Sequence, residues 1–133
     1  MRTGISHFWI GNFKNKYDFN IFFKEDENYY DDEREIDEKY ISEFAKSQDI
    51  NWLEHDFLEC GFEDKDISFE EKFSKYSYAE EWINELKKRM EQNRIDFQIN
   101  SIAFIAKDKI EKPVSIKKSD FYLIYLGEIE YKI

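Results

Sequence analysis

The side chains best suited to chemistry are Glu54, His55 and Asp56, followed by Glu59 and Cys60. A neutral histidine can take a proton while a carboxylate orients its ring, and a cysteine thiolate can attack an acyl carbon. His7 would join this set if the two strands carrying the histidines paired. Neighbouring side chains on a strand point to opposite faces, however, so these groups need not converge. A hydrogen bond that holds structure or meets a partner is the stronger reading of His55. Both histidines, Cys60 and a carboxylate would supply four zinc ligands, but without the close paired spacing of a zinc site. Asp31-Asp32-Glu33 lacks the loop spacing of an EF-hand. The 133 residues contain no glycine-rich phosphate loop, dinucleotide fingerprint or serine nucleophile elbow. The residues therefore predict no catalytic centre, no metal and no cofactor.

Charge says more. The chain holds 30 Asp and Glu against 20 Lys and Arg, a net of −10. Residues 1–72 carry 20 acids and 9 bases, a net of −11, whereas residues 73–133 carry 10 and 11, a net of +1. Such a field repels a phosphate backbone and argues against direct nucleic-acid binding. It serves either solubility or the capture of a basic protein by the N-terminal half. The most acidic run spans residues 25–35. Its Tyr29 and Tyr30 suit contact with a basic protein, the alternative being that one ring pins the loop to the body.

The elements that must position these groups follow from periodicity. Ile99-Asn100-Ser101-Ile102-Ala103-Phe104-Ile105-Ala106 is apolar on both parities, which predicts a strand covered on both sides. Ile5 to Phe13 predicts a first strand. Asn15 caps a helix whose Phe19, Phe22 and Phe23 share a side. Ile36, Tyr40 and Phe44, with Ile41 and Ala45, predict a second helix ending near Ser47 or Gln48. A strand is expected within Ile50 to Leu58, with Gly61 breaking the run, and residues 63–75 hold a short helix or irregular packing. Ser77 and Glu80 have capping-box spacing ahead of a helix from Tyr78 to Met90, whose stripe is Ala79, Trp82, Ile83, Leu86 and Met90. After a charged connection from Lys107 to Pro113, Phe121 to Leu126 predicts a strand. A bulge at Gly127 would lead into the alternation of Ile129, Tyr131 and Ile133. The sum is an α+β fold, a single domain over 1–133 with a mixed, mainly antiparallel sheet and about three helices packed against one face. The lone Cys60, with no secretory signal and no segment long enough to span a bilayer, predicts a cytoplasmic protein.

Three stretches, taken in order, resemble the immunity protein 22 family: His7-Phe8-Trp9-Ile10-Gly11-Asn12-Phe13, Ser42-Glu43-Phe44-Ala45-Lys46 and Trp52-Leu53-Glu54-His55-Asp56-Phe57. Phe121-Tyr122-Leu123-Ile124-Tyr125-Leu126-Gly127 is compatible with that family's closing strand, so the similarity covers nearly the whole chain. The resemblance implies an antidote in a bacterial polymorphic-toxin system, which binds a cognate toxin domain, frequently a nuclease. It brings no catalytic residues with it. His7, Trp9, Asp56 and Phe57 would hold the scaffold, leaving the accessible surface to choose the toxin. Surface charge nominates the contact residues. The first patch is Asp26, Glu27, Tyr29, Tyr30, Asp31, Asp32 and Glu33; a second is Glu54, Glu59, Glu63 and Asp64. These would meet a basic toxin and inhibit it stoichiometrically by barring its substrate. The competing classes are a general acidic protein-interaction module and a small hydrolytic enzyme built on Glu54-His55-Asp56. A flat acidic surface favours interaction, and convergence in a deep pocket favours catalysis.

Overall fold

β1 (Thr3–Phe13) runs through the middle of the sheet because both of its side-chain parities are apolar. The computed structural model describes residues 2–30 and 39–133. Three of the expected contact residues, Asp31, Asp32 and Glu33, lie outside the described residues, as does Ile36 of the expected second helix. Beyond β1 the chain forms β2 (Leu58–Phe62), β3 (Ser101–Ala106), β4 (Ile116–Lys117) and β5 (Phe121–Lys132). Their order is β2-β3-β1-β5-β4, and each neighbouring pair is antiparallel. The helices are α1 (Lys16–Phe23), α2 (Glu43–Ser47), α3 (Phe69–Phe73) and α4 (Ala79–Gln92). This is the α+β architecture that the sequence predicts.

The helices cover both faces of the sheet, not one. Trp9 and Phe13 pack on one side with Phe19, Phe22 and Phe23 of α1 and Phe44 of α2. Phe8 and Ile10 pack on the other with Phe73 of α3 and Trp82 and Leu86 of α4. Two-sided apolar strands require such a double cover to keep either parity from water. Phe8 lies parallel to Phe104 at 4.8 Å and tilted against Trp82 at 4.9 Å. Each fully buried ring contributes about 3 kcal/mol, with about 1 kcal/mol more from such ring geometry.

Local chemistry sets the element ends. Asn15 Oδ1 accepts from the Asp18 amide at 2.8 Å, the expected cap of α1. The expected helix through Tyr40 and Ile41 does not extend that far back, because tertiary bonds hold the Ile41 backbone. Ile41 N–H donates to Asn51 O at 2.8 Å, and Ile41 O accepts from Asp26 N at 2.6 Å. Ser42 starts α2 instead, its hydroxyl accepting from the Ala45 amide at 3.0 Å. The expected strand at 50–58 is largely irregular, closing in a 3-10 turn at His55–Phe57, and pairing begins at Leu58. Gly61 sits inside β2 opposite Ile102 and does not break it. A Cβ there would overlap the Tyr76 hydroxyl, so the position needs glycine for close approach.

The capping box ahead of α4 does not form. Tyr78 takes a left-handed φ of 58°, and the Ser77 amide donates to Glu59 Oε2 at 2.8 Å. The stripe on α4 otherwise holds, with Ala79, Trp82, Ile83 and Leu86 buried and Met90 packed at its edge. Asn93 ends the helix, its Nδ2 donating to Arg89 O at 2.7 Å. In β5 the bulge falls where it is expected. Phe8 faces Gly127 and Trp9 faces Tyr125, leaving Leu126 without an opposite residue. The shift of parity puts Leu126 and Ile129 into one core, and Gly127 takes a φ of 101° that favours glycine. Among the described residues no helix is long and apolar enough to cross a membrane.

Candidate protein-binding surface

The groups suited to chemistry do not meet. β3 lies between β1 and β2, so the segments carrying His7 and His55 are not neighbours. His7 is 3% exposed, and its Nε2 faces Ile110 O at 2.9 Å and Lys107 O at 3.1 Å. Two carbonyls on one nitrogen place a hydrogen there, so in the neutral ring Nδ1 accepts from the Tyr125 hydroxyl at 2.8 Å. His55 spans Leu53 O and Ser42 Oγ, both at 3.0 Å, and ties the 3-10 turn to the cap of α2. The two rings share no partner. Burial, and then the Glu59 charge, push the Cys60 thiol up to about 11, so it is protonated at neutral pH and is no nucleophile. Among the described residues no group of His, Cys, Asp and Glu has metal-binding geometry.

The acidic side is built from three segments stitched through Ile41. Residues 26, 41 and 51 are joined by the backbone bonds given above, and Asn51 Nδ2 adds a bond to Lys39 O at 2.6 Å. Asp26 Oδ1 accepts from the Asn28 amide at 2.9 Å, which turns the chain so that Glu27 is exposed. Asp26, Glu27 and Glu43 line a shallow cleft of about 290 Å³ with Ile21, Lys24 and Tyr40. Tyr29 is 7% exposed and belongs to the core, so it is the ring that pins this segment. Tyr30, edge-on to it at 5.0 Å, is 71% exposed. The Tyr30 hydroxyl accepts from Trp52 Nε1 at 3.0 Å, joining the 25–30 and 51–57 segments a second time. A third contact sets Glu25 Oε1 3.7 Å from His55 Nδ1.

Glu54 extends this side, its carboxylate 3.7 Å from Lys109 Nζ, which itself lies 4.3 Å from the centre of the Phe57 ring. The rest of the expected second patch lies elsewhere. Glu59 alternates with Leu58 and Cys60 and so faces the α3 and α4 layer, where it holds the Ser77 amide. Glu63 accepts from the Tyr76 hydroxyl at 3.3 Å and pairs with Lys75. Asp64 beside it is exposed. Burial, followed by the Glu63 charge, holds the Tyr76 hydroxyl well above the usual tyrosine range. Thus Asp26, Glu27 and Tyr30 share one segment that is bonded to the segment carrying Glu54, while Glu59 and Glu63 face the α3 and α4 layer with Asp64 beside Glu63. The sequence does not mark Trp52 as a contact group and assigns Phe57 to the scaffold, yet both rings are half exposed, and Asp56, also expected to hold the scaffold, is exposed. Their signal was two large rings set among charges in a stretch without helical periodicity.

A two-sided α+β scaffold whose histidines and thiol are held by structure, with carboxylates and open rings on one side, has the features of a binding protein. A family model described as Immunity protein 22 matches residues 6–132, and the chain belongs to that family. Membership fits inhibition of a partner toxin and a role without catalytic turnover. No curated protein and no solved structure matches the chain.

Proposed function

We propose that this protein is a stoichiometric inhibitor of a cognate bacterial toxin, a basic nuclease domain, which it captures through the face built by segments 25–30 and 51–57. One observation carries the reading: a chain of the immunity family concentrates a net charge of −11 in the half that builds this face. A nuclease must present cations to its phosphate substrate. Carboxylates at Asp26, Glu27 and Glu54 compete for those cations, and covering the toxin's substrate-binding surface or an exosite beside it keeps RNA or DNA out. Asp31, Asp32 and Glu33 follow Tyr30 directly in the chain and add to the same field. Charge of this kind speeds encounter and rejects wrong partners, while buried aromatic contacts slow release. Glu59 and Glu63 serve the fold first, and Asp64 contributes at a distance.

Co-expression and pull-down with the toxin domain encoded beside this gene tests the reading. The expected result is a one-to-one complex that excludes nucleic acid. Reversing Asp31, Asp32 and Glu33 to Lys should slow association at low salt while leaving the thermal midpoint near that of the parent. An association rate unchanged by that reversal would remove the run from the interface. A toxin that never co-purifies would remove the function.

A further inference from the structure

The protein has three tryptophans, and only one of them reaches water. Trp9 and Trp82 are fully buried, whereas Trp52 is 51% exposed. Burying the Trp52 ring in the core would have gained free energy, so its place at the surface has a cost that folding does not recover. Its indole N–H is not left to solvent either: it donates to the Tyr30 hydroxyl, which comes from a segment 22 residues earlier. Tyr29 backs Tyr30 from within the core, and Asn51 is fastened to Lys39 and Ile41. The pair is therefore held in place before any partner arrives, which reduces the entropy lost on binding.

The neighbouring rings show how this surface treats cations. Lys39 lies over Tyr29 at 5.8 Å, Lys46 over Tyr40 at 5.8 Å and Lys109 over Phe57 at 4.3 Å. Each of those rings has its own lysine, while Trp52 and Tyr30 are bonded to one another. Glu25 and Glu27 share the Tyr30 segment, and Glu54 stands two residues beyond Trp52 with its carboxylate 3.7 Å from Lys109 Nζ, so the two segments that carry the open rings are acidic. A planar guanidinium is complementary to both parts, stacking on an indole face while its N–H groups meet a carboxylate. Carboxylates in the same positions repel a phosphate backbone, which disfavours a stacked nucleic acid.

We propose that Trp52 and Tyr30 are the anchor of the toxin interface and that they take a cationic side chain of a basic protein domain between the indole and the carboxylates of their segments. This rests on the inhibitor function above and adds to it a central contact and its chemistry. Indole and phenol rings dominate interface energetics when they are rigid and become dry on binding. The surrounding acids steer the partner, and the rings hold it.

The test uses the full chain labelled with fluorotryptophan and an inactive variant of the toxin domain encoded beside the gene. Fluorine NMR gives one resonance per indole, and Trp52→Phe identifies the exposed one. Addition of toxin should move the Trp52 resonance and leave those of Trp9 and Trp82 in place. Trp52→Ala and Tyr30→Ala should each weaken binding about thirty-fold or more, the level that marks a hot spot. Tyr30→Phe, which keeps the ring and loses only the bond to Trp52, should cost less. All three should melt close to the parent. A complex that forms with the Trp52 resonance unmoved and Trp52→Ala binding at parental strength would overturn the anchor while sparing the inhibitor. Movement of that resonance by a single-stranded oligonucleotide would overturn it in favour of base stacking. Failure to form any complex would overturn the inhibitor function itself.

Discussion

Asn100 tests the scaffold most sharply, because one side chain stands in for a missing piece of strand. It lies just before β3, is 4% exposed, and closes the end of β1 with a pair of bonds. Its Oδ1 accepts from Phe13 N at 2.9 Å, and its Nδ2 donates to Phe13 O at 2.8 Å. The donor and the acceptor on Phe13 together fix which way the amide points. Asn100→Ala removes both bonds and orphans two buried backbone groups, each costing about 1–3 kcal/mol. Water entering at the strand end relieves part of this, so the expected loss is about 2–4 kcal/mol. For 133 residues that lowers the thermal midpoint by about 7–14 °C. Asn100→Asp separates the two bonds. A carboxylate still accepts from Phe13 N but meets the lone pairs of Phe13 O, which raises the folded-state pKa of the new group. The protonated acid can make both bonds, so the deficit against the parent should be small at acid pH. It should grow as pH rises through the carboxyl range. Urea melts of the parent and both variants at matched pH measure this. A loss below about 1 kcal/mol for Asn100→Ala, or a deficit in Asn100→Asp that does not change with pH, would refute the strand-end role.

Other outcomes follow from the same packing. Leu86→Asp puts an unpaired charge into the α3 and α4 core and should abolish cooperative unfolding, whereas Lys88→Asp on the exposed side should shift the midpoint little. Gly61→Val should destabilise by about 1–3 kcal/mol through the displaced Tyr76 ring, and adding Tyr76→Ala should recover part of that loss in a double-mutant cycle. Cys60 should react slowly with iodoacetamide at neutral pH until the protein is unfolded. Because its folded value of about 11 exceeds the ordinary 9.0, the folded state keeps a proton that the unfolded state releases. Stability should therefore fall as pH rises between those values, and Cys60→Ala should flatten that part of the urea-melt profile.

Much of the fold was legible because its signals are local. Asn15 announced α1 through the chemistry of its own side chain, and Gly127 announced the bulge through the change of parity around it. The two apolar parities of β1 and β3 also carried the double helical cover, but grouping all the helices on one face missed it. What stayed hidden was set by distant partners. Tyr40 and Ile41 have helical spacing, yet bonds to Asp26 and Asn51 hold Ile41 outside α2. Ser77 and Glu80 have capping-box spacing, yet Glu59 takes the Ser77 amide. Gly61 looks like a breaker until Tyr76 is seen lying over it. At the proposed binding surface, charge was readable as a count along the chain, but its grouping was not. Glu59 and Glu54 are five residues apart and serve opposite layers because β2 starts between them. Tyr29 and Tyr30 are adjacent and look alike in sequence; burial of one and exposure of the other follow from the core beneath them.

Inhibition by occupancy has a direct measure. The toxin domain encoded beside the gene should be held at fixed concentration, well above the dissociation constant, and its activity, that of a nuclease in the function proposed above, followed as this protein is added. Activity should fall in a straight line and reach zero at one equivalent, and added salt should slow the onset. Full toxin activity in the presence of excess protein would contradict the account, as would inhibition at catalytic amounts of a protein that chemically alters the toxin.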